Sequence, residues 1–255
     1  MVKLNAEAIP PLRDGDRLTQ REFFRRYEAA PEGTRAELLR GVVYLRRWVI
    51  SNGNGEQHVM PPISSGHHSE PAGDLYTFLR QYALFTAGVR AATPVTVKFD
   101  SPVDSSEPDC LLRILPEFGG ACSVGTDDYL HGPPELVGEI ANTSAATDLG
   151  VKYDTYEENG VREYIVWRTV PGVFDWFVLK RKKYVPLVPD PADGYLKSVA
   201  FPGLWLDPVA LLDGDGRAML AVLQKGLATA EHAAFEAKLA ATAAKKSKPR
   251  KRKKP

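Results

Sequence analysis

Glu139 stands inside a strand-length run that is otherwise apolar or small, Glu135 to Ala141 (ELVGEIA). A helix from about Asp148 to Asn159 follows, with Gly160 as the expected left-handed cap that stops it, and then a second strand, Glu163 to Arg168 (EYIVWR). Further strands are expected at Ala92 to Phe99 and Cys110 to Leu115 before this unit, and at Val173 to Lys180 and Lys183 to Val188 after it, the last two as a hairpin. Strands first, a helix inserted before a buried strand, and antiparallel strands afterwards constrain the chain to an α/β fold, a mixed sheet with helices on its faces.

The flanks fit that frame. Thr19 caps a helix that carries Phe23, Phe24 and Tyr27, with Glu22 completing a capping box. Ala36 to Trp48 reads as a hairpin turning near Arg40-Gly41. Ser51 to Gly66 has no periodicity and is a loop. Leu75, Phe78, Leu79, Tyr82 and Phe85 recur at helical spacing from Ser69 to Phe85. From Met219 onward Leu220, Leu223, Leu227, Ala230, Ala234, Ala237 and Ala241 predict one long Ala-rich helix running into a basic tail.

Charge is divided unevenly. The last eleven residues hold 8 of the 33 Lys and Arg, so the other 244 residues stand at 25 − 32 = −7. An acidic body with a basic tail suits loose attachment to a polyanion such as DNA through Lys245, Lys246, Lys248, Arg250, Lys251, Arg252, Lys253 and Lys254. The plainer alternative is a solubilising end without fixed structure. Two cysteines, Cys110 and Cys122, are too few for a disulfide framework and lack zinc-site spacing, so a reducing cytoplasm is the expectation. No signal-peptide pattern and no membrane-length apolar run is present, and no membrane association is expected.

The chemistry concentrates between Pro108 and Lys152. Asp109 precedes an apolar strand, and period-two alternation sets Val137, Glu139 and Ala141 on one face and Leu136, Gly138 and Ile140 on the other. An ionised carboxylate among apolar neighbours needs a positive partner. Asp109 and Glu139 on neighbouring strands offer the hard oxygen ligands that Mg²⁺ or Mn²⁺ prefers, and Lys152 on the following helix brings an ammonium back toward them. The metal-free alternative is that Glu139 and Lys152 form a buried salt bridge. His58, His67 and His68 make a weaker candidate for a zinc half-site, having no Cys partners at ligand spacing. A dinucleotide-dependent or transferase activity has no Gly-rich phosphate loop to support it.

Pro108-Asp109, Glu139 in its apolar strand, Asp148-x-x-x-Lys152, Tyr156, Gly160-Val161-Arg162-Glu163-Tyr164-Ile165 and Val166 together resemble the bacterial Uma family, grouped with restriction endonucleases and similar in fold to the PD-(D/E)xK nucleases. The resemblance covers roughly Leu18 to Val188. It implies a restriction-endonuclease-like sheet flanked by helices with a long C-terminal helix, a metal-dependent endonuclease acting on DNA, and a homodimer. Where such nucleases often place Lys two residues after Glu, this chain has Ala141, and the resemblance implies that Lys152 takes the role. It also offers Glu37 as a third metal-side carboxylate, while Arg40 and Val42 depart from the usual acidic positions. Those departures leave a second reading open, a nuclease fold that binds nucleic acid or a partner without cutting. The expected organisation is a leader at 1–17, a nuclease-like domain at 18–206, a helical extension at 207–244 and an unstructured basic tail at 245–255.

Overall fold

The computed structural model describes residues 9–31, 34–46 and 64–247. Helix α1 (Gln20–Tyr27) begins where expected, with the Thr19 hydroxyl accepting from Glu22 N. The Glu22 carboxylate does not reach back to close a capping box; Arg25 and Arg26 take it at 2.7 Å each. Strands β1 (Arg35–Leu39) and β2 (Val42–Arg46) form the expected hairpin, and Arg40 and Gly41 both adopt positive φ (54° and 76°), the geometry of a two-residue turn matched to strand twist. Trp48, His58 and most of the loop expected at 51–66 lie outside the described residues.

Helix α2 (Glu70–Leu84) follows a π-helical turn at Ser65–Ser69. The strand expected at Ala92 to Phe99 is in fact two. β3 (Val89–Ala92) belongs to one sheet and β4 (Val97–Lys98) to another, because Pro94 between them cannot donate to a ladder and the chain changes sheet there. Then come β5 (Ser105–Ser106), β6 (Cys110–Ile114), β7 (Ser123–Val124), β8 (Leu130–His131) and β9 (Leu136–Ala141). The helix expected at Asp148 to Asn159 is broken into α3 (Ala145–Thr147), a π-helical turn at Asp148–Lys152, and α4 (Tyr153–Glu158), with Gly150 at non-helical φ −112°, ψ −106°. Gly160 has the expected positive φ, 80°.

β10 (Glu163–Arg168) and β11 (Val173–Lys180) match the sequence expectation, and β12 (Lys183–Pro186) pairs with β11 as the expected hairpin. β13 (Leu196–Lys197) and β14 (Trp205–Leu206) pair with each other. The C-terminal region is not one helix. After α5 (Pro208–Leu212), α6 (Gly216–Leu227) and α7 (Ala230–Ser247) are separated at Thr229, whose hydroxyl accepts from His232 N and starts the second helix.

Among the described residues two six-stranded sheets result, ordered β2-β1-β5-β4-β8-β7 and β12-β11-β10-β9-β6-β3. Both are mixed: β9 runs parallel to β10 and antiparallel to β6, while β4 runs parallel to β8. The second sheet separates two cores. Leu136 and Ile140 pack with α2 residues Leu75, Phe78 and Leu79, whereas Val137 and Ala141 pack with Tyr156, Tyr164 and Val166. α2 approaches β9 so closely that a Cβ at Gly138 would meet Leu75 Cδ2 at 3.0 Å and Cys110 Sγ at 2.8 Å.

Candidate active site

The expected alternation along β9 holds, and it sends Glu139 to the Val137 face, toward the kinked helix and the first sheet. Lys152, on the last residue of the π-helical turn, places Nζ 2.8 Å from Glu139 Oε1, 3.2 Å from Glu37 Oε1 and 3.7 Å from Asp148 Oδ1. Three elements therefore meet at one ammonium: β9 of one sheet, β1 of the other, and the turn between α3 and α4. The Lys152 and Glu139 side chains are each 1% exposed.

Hydroxyls complete the joint. Tyr156 OH, one helical turn beyond Lys152, donates to Glu139 Oε1 at 2.7 Å and lies 2.5 Å from Ser106 Oγ, which in turn donates to Glu37 Oε1 at 2.9 Å. Glu107 N also donates to Glu37 Oε1, at 2.8 Å. Burial above all, and then the charges of Glu139 and Glu37, push the Tyr156 phenol well above its ordinary range, so it remains a donor. Asp148 accepts from Ser144 Oγ at 2.5 Å. Burial raises its carboxyl above the ordinary value; Lys152 and Ser144 oppose that rise, and Asp109 and Glu37 add to it.

Asp109 precedes β6 by one residue. The β6–β9 register pairs Cys110 with Gly138, so continuing it by one sets Asp109 opposite Glu139. There Asp109 Oδ2 accepts from Ile140 N at 2.8 Å, taking over where the backbone ladder stops. His68 Nε2 lies 3.6 Å from the same oxygen, and the Asp109 side chain, at 12% exposed, is more open than Glu139. The turn that carries His68 is tied down by Thr169 Oγ1, which donates to His67 O at 2.7 Å.

Among the described residues no three His, Cys, Asp or Glu side chains cluster with metal-site geometry. Glu37 faces Lys152, Ser106 and the backbone of Glu107, His68 faces Asp109, and His58 lies outside the described residues. Two carboxylates on adjacent strands still suit Mg²⁺, which is commonly held by one or two protein carboxylates with waters and substrate phosphates completing the shell. Asp148, Tyr156 and Ser106 were not assigned site roles from sequence. Asp148 reads there as the start of a helix, and nothing in spacing reveals the Ser106 hydroxyl fifty residues from Tyr156.

Lys245 and Lys246 lie on the last turn of α7, and Lys246 Nζ donates to Pro116 O at 2.6 Å. The other six basic tail residues lie outside the described residues. No described helix is long and apolar enough to cross a membrane.

A family model described as "Uma2: Putative restriction endonuclease" matches residues 46–210, well over half the chain. The chain belongs to the Uma2 family. Its matched segment contains Asp109, Glu139 and Lys152 but begins after Glu37. A crystal structure described as "a putative nuclease belonging to DUF820", from Anabaena variabilis, is 13% identical with a TM-score of 0.46, covering 74% of this chain and 97% of that one. No curated protein matches.

Proposed function

We propose that this Uma2 member is an endonuclease that hydrolyses phosphodiester bonds in DNA with Mg²⁺ or Mn²⁺. The observation that carries this reading is the Lys152 ammonium bound between Glu139 and Glu37, beside the strand end that presents Asp109. Asp109 and Glu139 would hold the ion, which when bound activates a water and stabilises charge at phosphorus.

The chain's own residues prepare the rest. Lys152 is fixed from several sides, so its charge is already oriented and no reorganisation is needed as negative charge develops on the phosphate. Glu37 and Asp148 position that ammonium. Tyr156 holds Glu139 Oε1 in place, and the Asp109 interaction with Ile140 N sets the angle of the carboxylate at the more open side of the site. The basic residues from Lys245 to Lys254 supply salt-sensitive attachment to the DNA backbone, and a homodimer would offer two sites to two strands.

One observation favours a second reading, binding without cleavage: Glu139 and Lys152 already satisfy each other at 1% exposure, the arrangement of a structural ion pair. Incubating the full chain with plasmid, single-stranded and branched DNA, with and without Mg²⁺ or Mn²⁺, separates the two. Metal-dependent cuts lost in Glu139→Gln support the nuclease. Retention of DNA without cuts under every metal condition supports the second reading.

A further inference from the structure

Beside the strand that delivers Asp109 lies a cavity of about 290 Å³, near the lower end of small-ligand pockets at ~300 Å³. It is lined by an aromatic ring, Tyr27; an apolar wall, Pro94 and Val95; one cation, Arg35; and a carboxylate, Glu107. Its connection to the site is direct. Glu107 N donates to Glu37 Oε1, and Thr93, which leads into the Pro94–Thr96 wall, donates through Oγ1 to Asp109 O at 2.5 Å.

Glu107 is held in an asymmetric way. Its Oε1 accepts from Tyr27 OH at 2.7 Å and from Thr96 Oγ1 at 3.1 Å, while Oε2 makes no hydrogen bond among the described residues. A fixed carboxylate with one oxygen in reserve, next to an aromatic ring and an apolar wall, matches a flat ligand that carries an amine donor at its edge. Nucleobases have that chemistry: aromatic side chains stack on their faces, and Glu accepts from exocyclic amines such as that of cytosine. The volume is large enough for one base.

We propose that this cavity receives one nucleobase of the substrate strand, with Glu107 Oε2 accepting from its exocyclic amine. The inference deepens the nuclease reading and rests on it for the substrate class. It makes the site selective for an amino-bearing base beside the scissile phosphate, with Arg35 near the negatively charged backbone.

Titrating the full chain with cytidine 5′-monophosphate and uridine 5′-monophosphate, followed by amide chemical shifts, tests this without any cleavage step. The cytidine nucleotide should bind about tenfold more tightly, the size of one hydrogen bond to a charged group, and should shift the amides of Arg35, Val95, Thr96 and Glu107. Glu107→Gln should erase the difference, and Val95→Trp, which fills the cavity, should abolish binding of both. Equal binding of the two nucleotides, no binding of either, or shifts confined to other regions would overturn the proposal even without a variant. Cytidine-selective binding here in a chain that never cuts DNA would remove the nuclease reading and leave the base pocket standing; metal-dependent cutting with no such binding would do the reverse.

Discussion

Lys152 Nζ donates to Glu139 Oε1 at 2.8 Å, with both side chains withdrawn from solvent. That bond joins the kinked turn after α3 to the centre of a six-stranded sheet, and Glu37 extends it to the other sheet. One ammonium thus bridges the two layers, and the proposed function gives the same ammonium the developing charge of a phosphate. Substitutions around the pair separate these two contributions.

Tyr156→Phe removes the donor to Glu139 and one partner of Ser106 while keeping the ring in its packing with Tyr164 and Phe99. Leaving a buried carboxylate oxygen short of a donor should cost about 1–3 kcal/mol, read by urea unfolding. An unchanged midpoint would show that the hydroxyl contributes nothing to the joint.

Gly138→Ala tests the packing that aims Glu139. The added methyl would meet Cys110 Sγ at 2.8 Å and Leu75 Cδ2 at 3.0 Å, so α2 must shift or β9 must bend. A loss of about 1–3 kcal/mol is expected by thermal or urea unfolding. If the variant is as stable as the parent, the contact between α2 and the sheet is looser than described.

Glu163 gives the pH dependence. It is fully buried and accepts from Trp176 Nε1, Ser198 Oγ, Val199 N and Ala200 N, yet burial still holds its carboxyl above the ordinary 4.5. A carboxyl raised in the folded state contributes stability that is fully present below the unfolded value and is lost as pH rises through the folded one. The stability of the wild type relative to Glu163→Gln should therefore fall as pH rises from about 4.5. Melting both proteins across that range checks it; a relative stability that climbs with pH would reverse the sign.

Much of this arrangement can be read in the sequence, and the parts that cannot share a cause. Local signals identified the Thr19 cap, the Arg40-Gly41 turn, β10, β11 and the face of Glu139, since each depends on neighbours within a few residues. The Pro94 break was also a local signal, outweighed by the β-branched residues around it. Ser106, Tyr156 and Glu37 meet only because two sheets and a kinked helix converge, and a hydroxyl contact between distant positions leaves no periodicity to detect. The kink falls at Gly150, whose φ −112° and ψ −106° glycine adopts readily, so the breaker was present in the sequence but outweighed by the helical spacing around it.

Ending the chain after Ser247 removes six basic residues, Lys248, Arg250, Lys251, Arg252, Lys253 and Lys254, and leaves α7 whole. Folding should be unaffected. DNA affinity should fall, and the slope of log affinity against log salt should decrease by up to ~5 if all six contact phosphates. Fluorescence anisotropy at several salt concentrations measures it, and an unchanged slope would assign the tail no part in DNA attachment.

The central claim is that Glu139 is a metal ligand and Lys152 a transition-state cation, and calorimetric Mg²⁺ titration beside single-turnover DNA cleavage tests it most directly. Glu139→Gln should weaken Mg²⁺ binding and abolish cleavage. Lys152→Ala should retain most Mg²⁺ binding yet cleave on the order of 10²- to 10³-fold more slowly, the loss seen when one preorganised donor to the transition state is removed. Wild-type cleavage rates in a folded Lys152→Ala protein, or unfolding of both variants with no cleavage by the parent, would contradict the account and leave the pair as a structural salt bridge.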